Sequence, residues 1–483
     1  MAKHKVDSDL KRISKFTAGL GNQSSSVMNV GIALLFLLLV FGYAFTNQSH
    51  GEMGMFVVIA GVIGGYMAIN IGANDVANNI GPAVGSKALT MAGALIIAAI
   101  FEGAGAMLAG GDVIETVRKG IIDPAGIDAM TFIYAMMAAL FAAALWLNLA
   151  TWVGAPVSTT HSIVGGVVGS GIAALGTSAV NWTTMSQIAA SWVISPLLGG
   201  IIAALFLLFI KKMVLSKDDK LAAARTWVPM LVGIMAGAFG MYLTMKGLNK
   251  LIKVDAQTLW AIGFACLFIT WAITKPLVKH ASKGMENRKK SIATLFTIPL
   301  IFSAALLSFA HGANDVANAV GPLAAIVSKV QGSGDAAKVA LPLWVMMIGA
   351  LGIAVGLLLF GPKLIRTVGG EITKLNQIRA FCVALSAAIT VIAASWLGLP
   401  VSSTHIAVGG VFGVGFLREY LSNKNAASEP QKDPAKAAKK AAKRKLVRRK
   451  HLVSIALAWV ITVPVAAGLS AVIFYIMTGL FVD

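Results

Sequence analysis

The sequence predicts an all-α integral membrane protein: two inverted-topology repeats of five membrane elements with broken or re-entrant helices, linking helices, and an extra N-terminal span. The first observation is composition. Of the 483 residues, 57% are hydrophobic and 12% are charged, whereas soluble domains carry roughly 25% charged residues. The second is that apolar runs of about 17 to 25 residues, the length that crosses a bilayer, recur along the chain. The third is that three sequence words occur twice, in the same order.

The positive charge of the chain is concentrated in loops. The net charge is +20, and most of it falls in residues 1–15, 211–225, 275–290 and 424–450. Because the positive-inside rule places such clusters in the cytoplasm, we expect the N-terminus and these basic loops there. The membrane is then the plasma membrane, or the inner membrane of a bacterium. Charge confined to loops also argues against a nucleic-acid partner. Lys246, Lys250 and Lys253 conflict mildly with this orientation, which places their short loop outside.

Three further features of the sequence concern disulfides and metal sites, the first apolar run and the Ala-rich stretch near the C-terminus. Cys266 and Cys382 lie in apolar runs far apart in sequence, which predicts neither a disulfide framework nor a metal site. The first apolar run, near 28–46, is longer than the apolar core of a signal peptide and no A-x-A cleavage site follows it, so we expect a retained span. The Ala-rich stretch 435–450 fits a helix on anionic lipid and a solvated loop equally well.

After the first span we expect five elements, two linking spans and five further elements. The elements of the first repeat lie near 53–82, 89–110, 129–150, 152–176 and 186–210. The linking spans lie near 228–246 and 257–274, and the second repeat near 293–322, 340–361, 377–398, 400–418 and 452–478. The predicted divisions are 1–50 (basic segment and extra span), 51–212 (first repeat), 213–291 (loop and linking helices), 292–418 (second repeat, elements one to four), 419–451 (basic cytoplasmic loop) and 452–483 (last element).

The repeated words define the duplication. GANDVAN stands at 72–78 and 312–318, each time followed by Gly-Pro. The second word is PVSTTHSIVGGVVG at 156–169 against PVSSTHIAVGGVFG at 400–413, and the weaker third is WVISP at 192–196 against WVITVP at 459–464. The first repeat crosses the membrane five times and the linker crosses it twice. The second repeat therefore begins on the side opposite to the first and has the inverted orientation. Inverted repeats are an architecture of secondary transporters, whose substrate site lies where the copies meet near the midplane.

The first word places a carboxylate in apolar surroundings twice. Asp75 and Asn78, like Asp315 and Asn318, are three residues apart and share a helix face. We expect the following Gly-Pro to interrupt the helix and leave free helix ends at membrane depth. Carboxylate and amide oxygens there would bind a small hard cation, while free N–H groups would bind an anion. The alternative is a polar contact between helices, but a charge at the bilayer centre costs about 2.5 kcal/mol or more.

The second word supplies hydroxyl groups. Pro156 and Pro400 break or start a helix, and small residues follow in G-x-x-x-G spacing, which lets neighbouring backbones approach closely. A helix N-terminus with hydroxyls can hold an oxyanion without a fixed cation that would prevent release. The alternative is that each hydroxyl bonds the carbonyl four residues earlier. The hydroxyl residues are Ser158, Thr159, Thr160, Ser402, Ser403 and Thr404.

Four ionisable side chains complete the candidates. His161 and His405 are interpreted as structural donors or pH-sensitive gates. A hydrolase using Ser158 and His161 is an alternative, although no G-x-S-x-G motif accompanies them. Glu102 is an acid inside a span and hence a candidate for cation coupling, with a buried polar contact as the alternative and Ile353 as its counterpart in the second repeat. His311 faces Ile71 in the alignment of the repeats, and we interpret it as structural.

With both GANDVAN words and both PVS(S/T)TH words, the chain resembles the inorganic phosphate transporter (PiT) family of sodium- or proton-coupled phosphate permeases. The resemblance spans roughly 53–478. It implies phosphate symport and a site built from both signature regions. The extra N-terminal span and the short central loop depart from relatives. Combined with the motif chemistry, the predicted phosphate-binding residues are Ser158, Thr159, Thr160, Ser402, Ser403, Thr404, Asp75 and Asp315, and the predicted cation-binding residues are Asn74, Asp75, Asn78, Asn314, Asp315 and Asn318, with sodium at Asp75 and Asp315.

The predicted function is a cation-coupled phosphate symporter that works by alternating access, and not an enzyme. Hydrogen phosphate carries a P–OH that needs an acceptor such as Asp75 or Asp315; sulfate does not, and a sulfate permease of the same family is the alternative. Sodium is favoured because the predicted oxygens form a ready cage, although protons would also neutralise the acids. We expect no resident cofactor, only co-transported Na⁺ or H⁺. The expected partners are phosphate, the cation, the bilayer and a second copy in a homodimer.

Overall fold

The computed structural model describes residues 27–47, 53–124, 127–153, 157–247, 252–331, 341–371, 375–427 and 449–481. Within these ranges the chain forms fifteen α-helices and no β-strand, apart from an isolated bridge between Ile122 and Val180. The first eight helices are α1 (Val27–Asn47), α2 (Gly54–Gly85), α3 (Met91–Ala109), α4 (Gly111–Glu115), α5 (Ala129–Val153), α6 (Thr159–Leu175), α7 (Trp182–Ile210) and α8 (Lys220–Lys246). The others are α9 (Ala256–Ala281), α10 (Lys289–Leu295), α11 (Thr297–Val330), α12 (Leu343–Glu371), α13 (Gln377–Trp396), α14 (Ser403–Ala427) and α15 (Arg449–Phe481).

Eleven of the described helices are long and apolar enough to cross a membrane, which confirms the predicted class of a multi-pass helical protein. Polar caps begin several of them. The side chains of Thr90, Asn181, Asp219 and Asn376 each accept a backbone N–H from the first turn of the helix that follows, which satisfies a donor that the helix leaves unpaired. Before α5, Oδ2 of Asp128 accepts the backbone N–H of Thr131, and this hydrogen bond lowers the pKa of the Asp128 carboxyl.

The helices of the two predicted repeats exchange partners. The first helix of each repeat packs on the second helix of the other, so α2 lies on α12 and α11 lies on α3. In the same way α6 packs on α15 while α14 packs on α7, and α2 and α11 contact each other directly. The helices that carry the two GANDVAN words therefore lie side by side.

Glycines permit the closest of these crossings. A Cβ at Gly312 on α11 would lie 2.0 Å from the carbonyl oxygen of Glu102 on α3, and one at Gly72 on α2 would lie 2.0 Å from that of Ile353 on α12. The matching contacts confirm that Ile353 is the counterpart of Glu102. The crossing at Gly312 also brings Glu102 against the helix that carries His311.

We predict that Gly312→Ala lowers thermal stability, because the added methyl forces α3 away from α11. Overpacking of this kind costs about 1–3 kcal/mol or more. Gly103→Ala on α3 is the matched control, since, apart from the neighbouring backbone of α3 itself, no heavy atom of the described residues lies within 4 Å of the added Cβ. The melting temperatures of both purified variants check this. Equal behaviour of Gly312→Ala and Gly103→Ala would contradict it.

The G-x-x-x-G spacing of the second word also allows close approach, as predicted. A Cβ at Gly169 would lie 2.2 Å from the carbonyl oxygen of Ala467, and one at Gly413 would lie 2.0 Å from that of Gly200. These contacts join α6 to α15 and α14 to α7.

The predicted interruption at Gly-Pro is wrong. α2 continues through Pro82 to Gly85, and α11 continues through Pro322 to Val330. A proline removes one backbone hydrogen bond, and membrane helices tolerate it when neighbouring groups satisfy the freed carbonyl. The helix starts at the site lie instead in the second word, where α6 begins at Thr159 and α14 at Ser403; Pro156 lies outside the described residues.

The mild conflict at Lys246 has a local explanation. Its ammonium forms an ion pair with Asp112, which lies on α4. This pair ties the end of linking helix α8 to the turn that follows α3. Lys250 lies outside the described residues, as do the basic segments 1–15 and 428–448.

Candidate functional site

Two carboxylates from the corresponding GANDVAN words meet in the interior. Asp75 on α2 and Asp315 on α11 are each 1% exposed. His311 lies between them, with Nε2 at 2.9 Å from Oδ2 of Asp315 and 3.7 Å from Oδ2 of Asp75. One ligand atom from each of the three residues lies within 4.8 Å of the others. Both carboxylates lie inside the protein, where they also make polar contacts between helices, and their role as cation ligands stays a prediction.

The hydroxyls of the second word bond to these acids across the molecule. Thr404 Oγ1 donates to Oδ1 of Asp75 at 3.0 Å and accepts from Nδ2 of Asn78 at 2.7 Å. Ser403 and Thr159 approach Oδ2 of Asp315 at 3.4 and 3.5 Å. The alternative of hydroxyls bonded within their own helix therefore does not hold for these three residues.

The other half of the site is built from the second GANDVAN word and the first PVSTTH word. Its residues have partners that differ from those of their counterparts in the first half. Nδ2 of Asn318 donates to Oγ1 of Thr159 at 3.3 Å and to Oγ1 of Thr160 at 3.2 Å. Thr160 in turn donates to the carbonyl oxygen of Val401, in the loop before α14, at 2.9 Å. Residues predicted separately as anion and cation ligands thus form one continuous network.

Ser158 and Ser402 begin the two helices. Ser158 Oγ accepts the backbone N–H of His161 at 3.1 Å, and Ser402 Oγ accepts that of His405 at 3.3 Å. The N-terminal ends of α6 and α14, which carry partial positive charge, are therefore buried beside Asp75 and Asp315. Negative charge at this point is stabilised by two helix ends.

Asn74 and Asn314 hold the loops that lead into these helices. The amide of Asn314 donates to Ser395 Oγ and to the carbonyl of Leu399, and its Oδ1 accepts the N–H of Val401. Asn74 donates to the carbonyl of Val157 at 2.9 Å. Both asparagines fix backbone, and a role as cation ligand stays a prediction.

Glu102 is fully buried beside His311. Its Oε2 lies 3.1 Å from Nδ1 of His311, and its Oε1 accepts Nδ2 of Asn79 at 2.8 Å. His311, interpreted from sequence as structural, instead contacts all three acids. Its signal was its spacing, four residues before Asp315 on one helix. Asn79 was missed as well.

The two predicted gate histidines lie in contact. The rings of His161 and His405 are 4.5 Å apart between centroids and nearly perpendicular, and His161 also packs on Trp192 at 3.9 Å. Trp192 Nε1 donates to the carbonyl of Pro400 at 3.2 Å. This pair joins the first turn of α6 to that of α14, and its role as a gate stays a prediction.

The site offers oxygen atoms that can bind a small cation, next to hydroxyl donors. Three carboxylates face one imidazole, which carries at most one positive charge. Among the described residues, Oδ1 of Asp315, Asn318, Asn74 and Asn79 has no hydrogen-bond partner. Buried oxygens without donors suit a small hard cation, which prefers carboxylate and carbonyl ligands.

Comparisons with known proteins agree on one family. The model of the phosphate transporter family matches residues 71–470, which include both GANDVAN words. A "Putative phosphate permease" of Helicobacter pylori is 45% identical over 96% of this chain and 98% of its own length. A permease of similar name from Thermococcus kodakarensis is 38% identical over 88% of this chain and 98% of its own.

A solved structure extends the similarity to three dimensions. The structure described as "The sodium-dependent phosphate transporter" matches with a TM-score of 0.79 and 34% identity, covering 88% of this chain and 100% of that chain. Family model, relatives and structure all cover most of the chain. The protein belongs to the phosphate transporter family.

Proposed function

We propose that the protein is a sodium-coupled symporter of inorganic phosphate that works by alternating access. The observation that carries this proposal is the meeting of Asp75 and Asp315, from corresponding helices, beside the buried N-termini of α6 and α14. Family membership already excludes the hydrolase, because this family consists of transporters. In addition, Ser158 Oγ is used as a helix cap, and the His161 ring packs against other rings.

Electrostatics supply the coupling. Oxygens of Asp75 and Asp315 lie within 4.8 Å of each other, where two like charges repel by about 3 kcal/mol at an effective dielectric constant near 20. Glu102 adds a third acid, and His311 can offset only one charge. A dianion enters this environment only when cations neutralise the acids. Phosphate binding therefore requires the cation, and the two move together.

The donor set supports sodium over protons. Oδ1 atoms of Asn318 and Asp315 face the interior without hydrogen-bond donors from the described residues, and such oxygens match a hard metal cation. The similar structure is described as sodium-dependent. Protonation would neutralise the acids but would leave the amide oxygen of Asn318 without a partner among the described residues.

Hydroxyls and a helix end supply the phosphate site in this proposal. Ser403, Thr404 and Thr159 can redirect their hydroxyls from the aspartates to phosphate oxygens once sodium occupies the acids. A P–OH of hydrogen phosphate then finds an acceptor in Asp75 or Asp315, and sulfate lacks this group. The preference for phosphate over sulfate rests on that one hydrogen bond.

The reciprocal packing of the repeats supports alternating access. Because α2 with α12 and α11 with α3 form equivalent pairs, one pair can rock against the remaining helices from either side. The inverted orientation of the repeats follows from the crossing count and is part of the proposal. The proposal also places the N-terminus and the basic loops on the cytoplasmic side of a plasma or inner membrane.

The test is uptake of radiolabelled phosphate into proteoliposomes under separate sodium and proton gradients, with sulfate as competitor. We expect the inward sodium gradient to drive accumulation, the proton gradient alone to drive little, and excess sulfate to compete weakly. Accumulation that is indifferent to both gradients would remove the symport proposal. Equal competition by sulfate would remove the assignment of phosphate.

A further inference from the structure

A groove lies between the two linking helices, α8 and α9, and the first helix of the second repeat, α11. Its volume is about 290 Å³, roughly ten times the share of one water molecule in liquid water. Along α8 it extends from Met235 to Leu243, or roughly 12 Å at 1.5 Å per residue. All three helices are long and apolar enough to cross a membrane. The groove therefore runs along membrane-spanning segments.

The groove opens to the side of the protein. Met235 on α8 and Leu306 on α11 line its floor and are 5% and 8% exposed. Ile269 on α9 and Phe302 on α11 line its edge and are 60% and 41% exposed. Phe264, one turn from the groove on α9, is exposed as well. An exposed apolar surface of this kind marks contact with the membrane, so the mouth of the groove faces acyl chains.

The lining of the groove matches hydrocarbon and not water. Among the described residues that line it, only Cys266 and Thr270 carry a polar side-chain atom. A stable water needs two to four polar partners, and an unfilled apolar groove loses dispersion contacts along its walls. Residues 1–26 and 428–448 of the chain are rich in Lys and Arg and do not match an apolar lining. The surrounding lipid supplies chains of the right chemistry.

We propose that this groove holds one acyl chain of a membrane phospholipid between α8, α9 and α11. The groove reaches Phe239, whose ring packs edge-on against that of Phe309 at 5.0 Å between centroids. Phe309 lies two residues before His311 on α11, at the close crossing with α3, where a Cβ at Gly105 would lie 2.0 Å from the Phe309 carbonyl oxygen. The bound chain thus packs against a ring that supports the helix of Asp315. The inference does not depend on the transported ion.

The first experiment locates the chain by photocrosslinking. The protein is reconstituted with phosphatidylcholine that carries a diazirine in one acyl chain, extracted into detergent, and washed before irradiation to remove lipid from the open surface. Crosslinked peptides are identified by mass spectrometry. We expect crosslinks in residues 235–243 and 266–270. Equal crosslinking of α1, whose Leu38 and Leu39 are exposed, would show surface lipid only and overturn the proposal.

A groove-filling variant tests the assignment. Ala236 lines the groove, and Ala236→Phe should lower the crosslink yield there at least about fivefold, because a packed ring leaves no room for the chain. Ala238→Phe is the matched control, since Ala238 is an exposed residue of the same helix outside the lining. It should keep the wild-type yield. Equal yields from the two variants would contradict the proposal.

Cys266 allows a measurement on the unaltered protein, which decides the question even if Ala236→Phe does not fold. Cys266 is partly exposed and lines the groove, whereas Cys382, the only other cysteine, is buried. Phosphatidylcholine added to delipidated protein in detergent should slow the reaction of Cys266 with N-ethylmaleimide at least about threefold, because thiol reactivity follows access. An unchanged rate would overturn the proposal. Slowing that follows protein concentration and not added lipid would assign the groove to a second copy instead.

Discussion

Replacement of Asp315 by asparagine is expected to lower sodium-driven phosphate uptake by about a hundredfold. The substitution keeps the shape of the side chain but removes the charge that neutralises the cation beside Asp75. The ligand atoms of Asp75 and Asp315 lie within 4.8 Å of each other. Two unit charges at about that distance interact by about 3 kcal/mol at an effective dielectric constant near 20, and every 1.4 kcal/mol is a factor of ten. Asp75→Asn should behave alike, because the two acids hold corresponding positions.

The control is Asp219→Asn, which changes an exposed acid that caps α8 far from the site. Uptake rates are compared at equal amounts of folded protein, judged by size-exclusion chromatography. Asp219→Asn should transport normally. If Asp315→Asn kept both its rate and its sodium dependence, Asp315 would not bind the coupling cation.

The second large effect is expected for His311→Ile. This change removes the group that lies between Glu102, Asp75 and Asp315, and it leaves three buried acids without a basic partner. Breaking a buried pair in this way typically costs about 3–5 kcal/mol. We expect strongly reduced melting temperature and loss of uptake. Glu102→Ile should also destabilise the protein, since His311 and Asn79 then lose a partner.

The double variant His311→Ile with Glu102→Ile tests whether His311 and Glu102 stabilise the fold as a pair. Both positions then carry the residue of the corresponding repeat position, Ile71 and Ile353. Replacing both members of a buried pair with apolar groups is often neutral, so its melting temperature should exceed the additive expectation from the singles. The coupling should amount to about 1–3 kcal/mol. Additive losses would show that Glu102 and His311 act independently.

Repetition is the reason much of the site could be predicted from sequence. Asp75 and Asp315 are expensive in lipid and occur at matched positions, so their meeting followed from the duplication. The hydroxyls of Thr404, Ser403 and Thr159 followed from the second word in the same way. The alignment also gave Ile353 as the counterpart of Glu102, which the crossing glycines confirm.

Asymmetric residues could not be predicted by that route. His311 and Asn79 lack counterparts, since Ile71 and Ala319 occupy the matching positions. Comparison of the two repeats does not single out such residues. Their contacts with Glu102 form only because α3 lies against α2 and α11. Sequence alone does not state which helices of the two repeats pack together.

The prediction at Gly-Pro failed for a different reason. Proline rules from soluble helices predict a break, whereas Pro82 and Pro322 lie within continuous helices. The next turn of each helix is held by surrounding helices, and the cost of one missing hydrogen bond is smaller than that of exposing free backbone in a membrane.

The most direct test is the affinity of the purified protein for phosphate, measured by isothermal titration calorimetry at fixed pH and ionic strength. Sodium chloride is replaced stepwise by choline chloride. We predict that phosphate affinity rises steeply with sodium concentration and that Asp315→Asn removes this dependence. Equal phosphate affinity in sodium and in choline would contradict the account, because the buried acids would then admit the dianion without a cation.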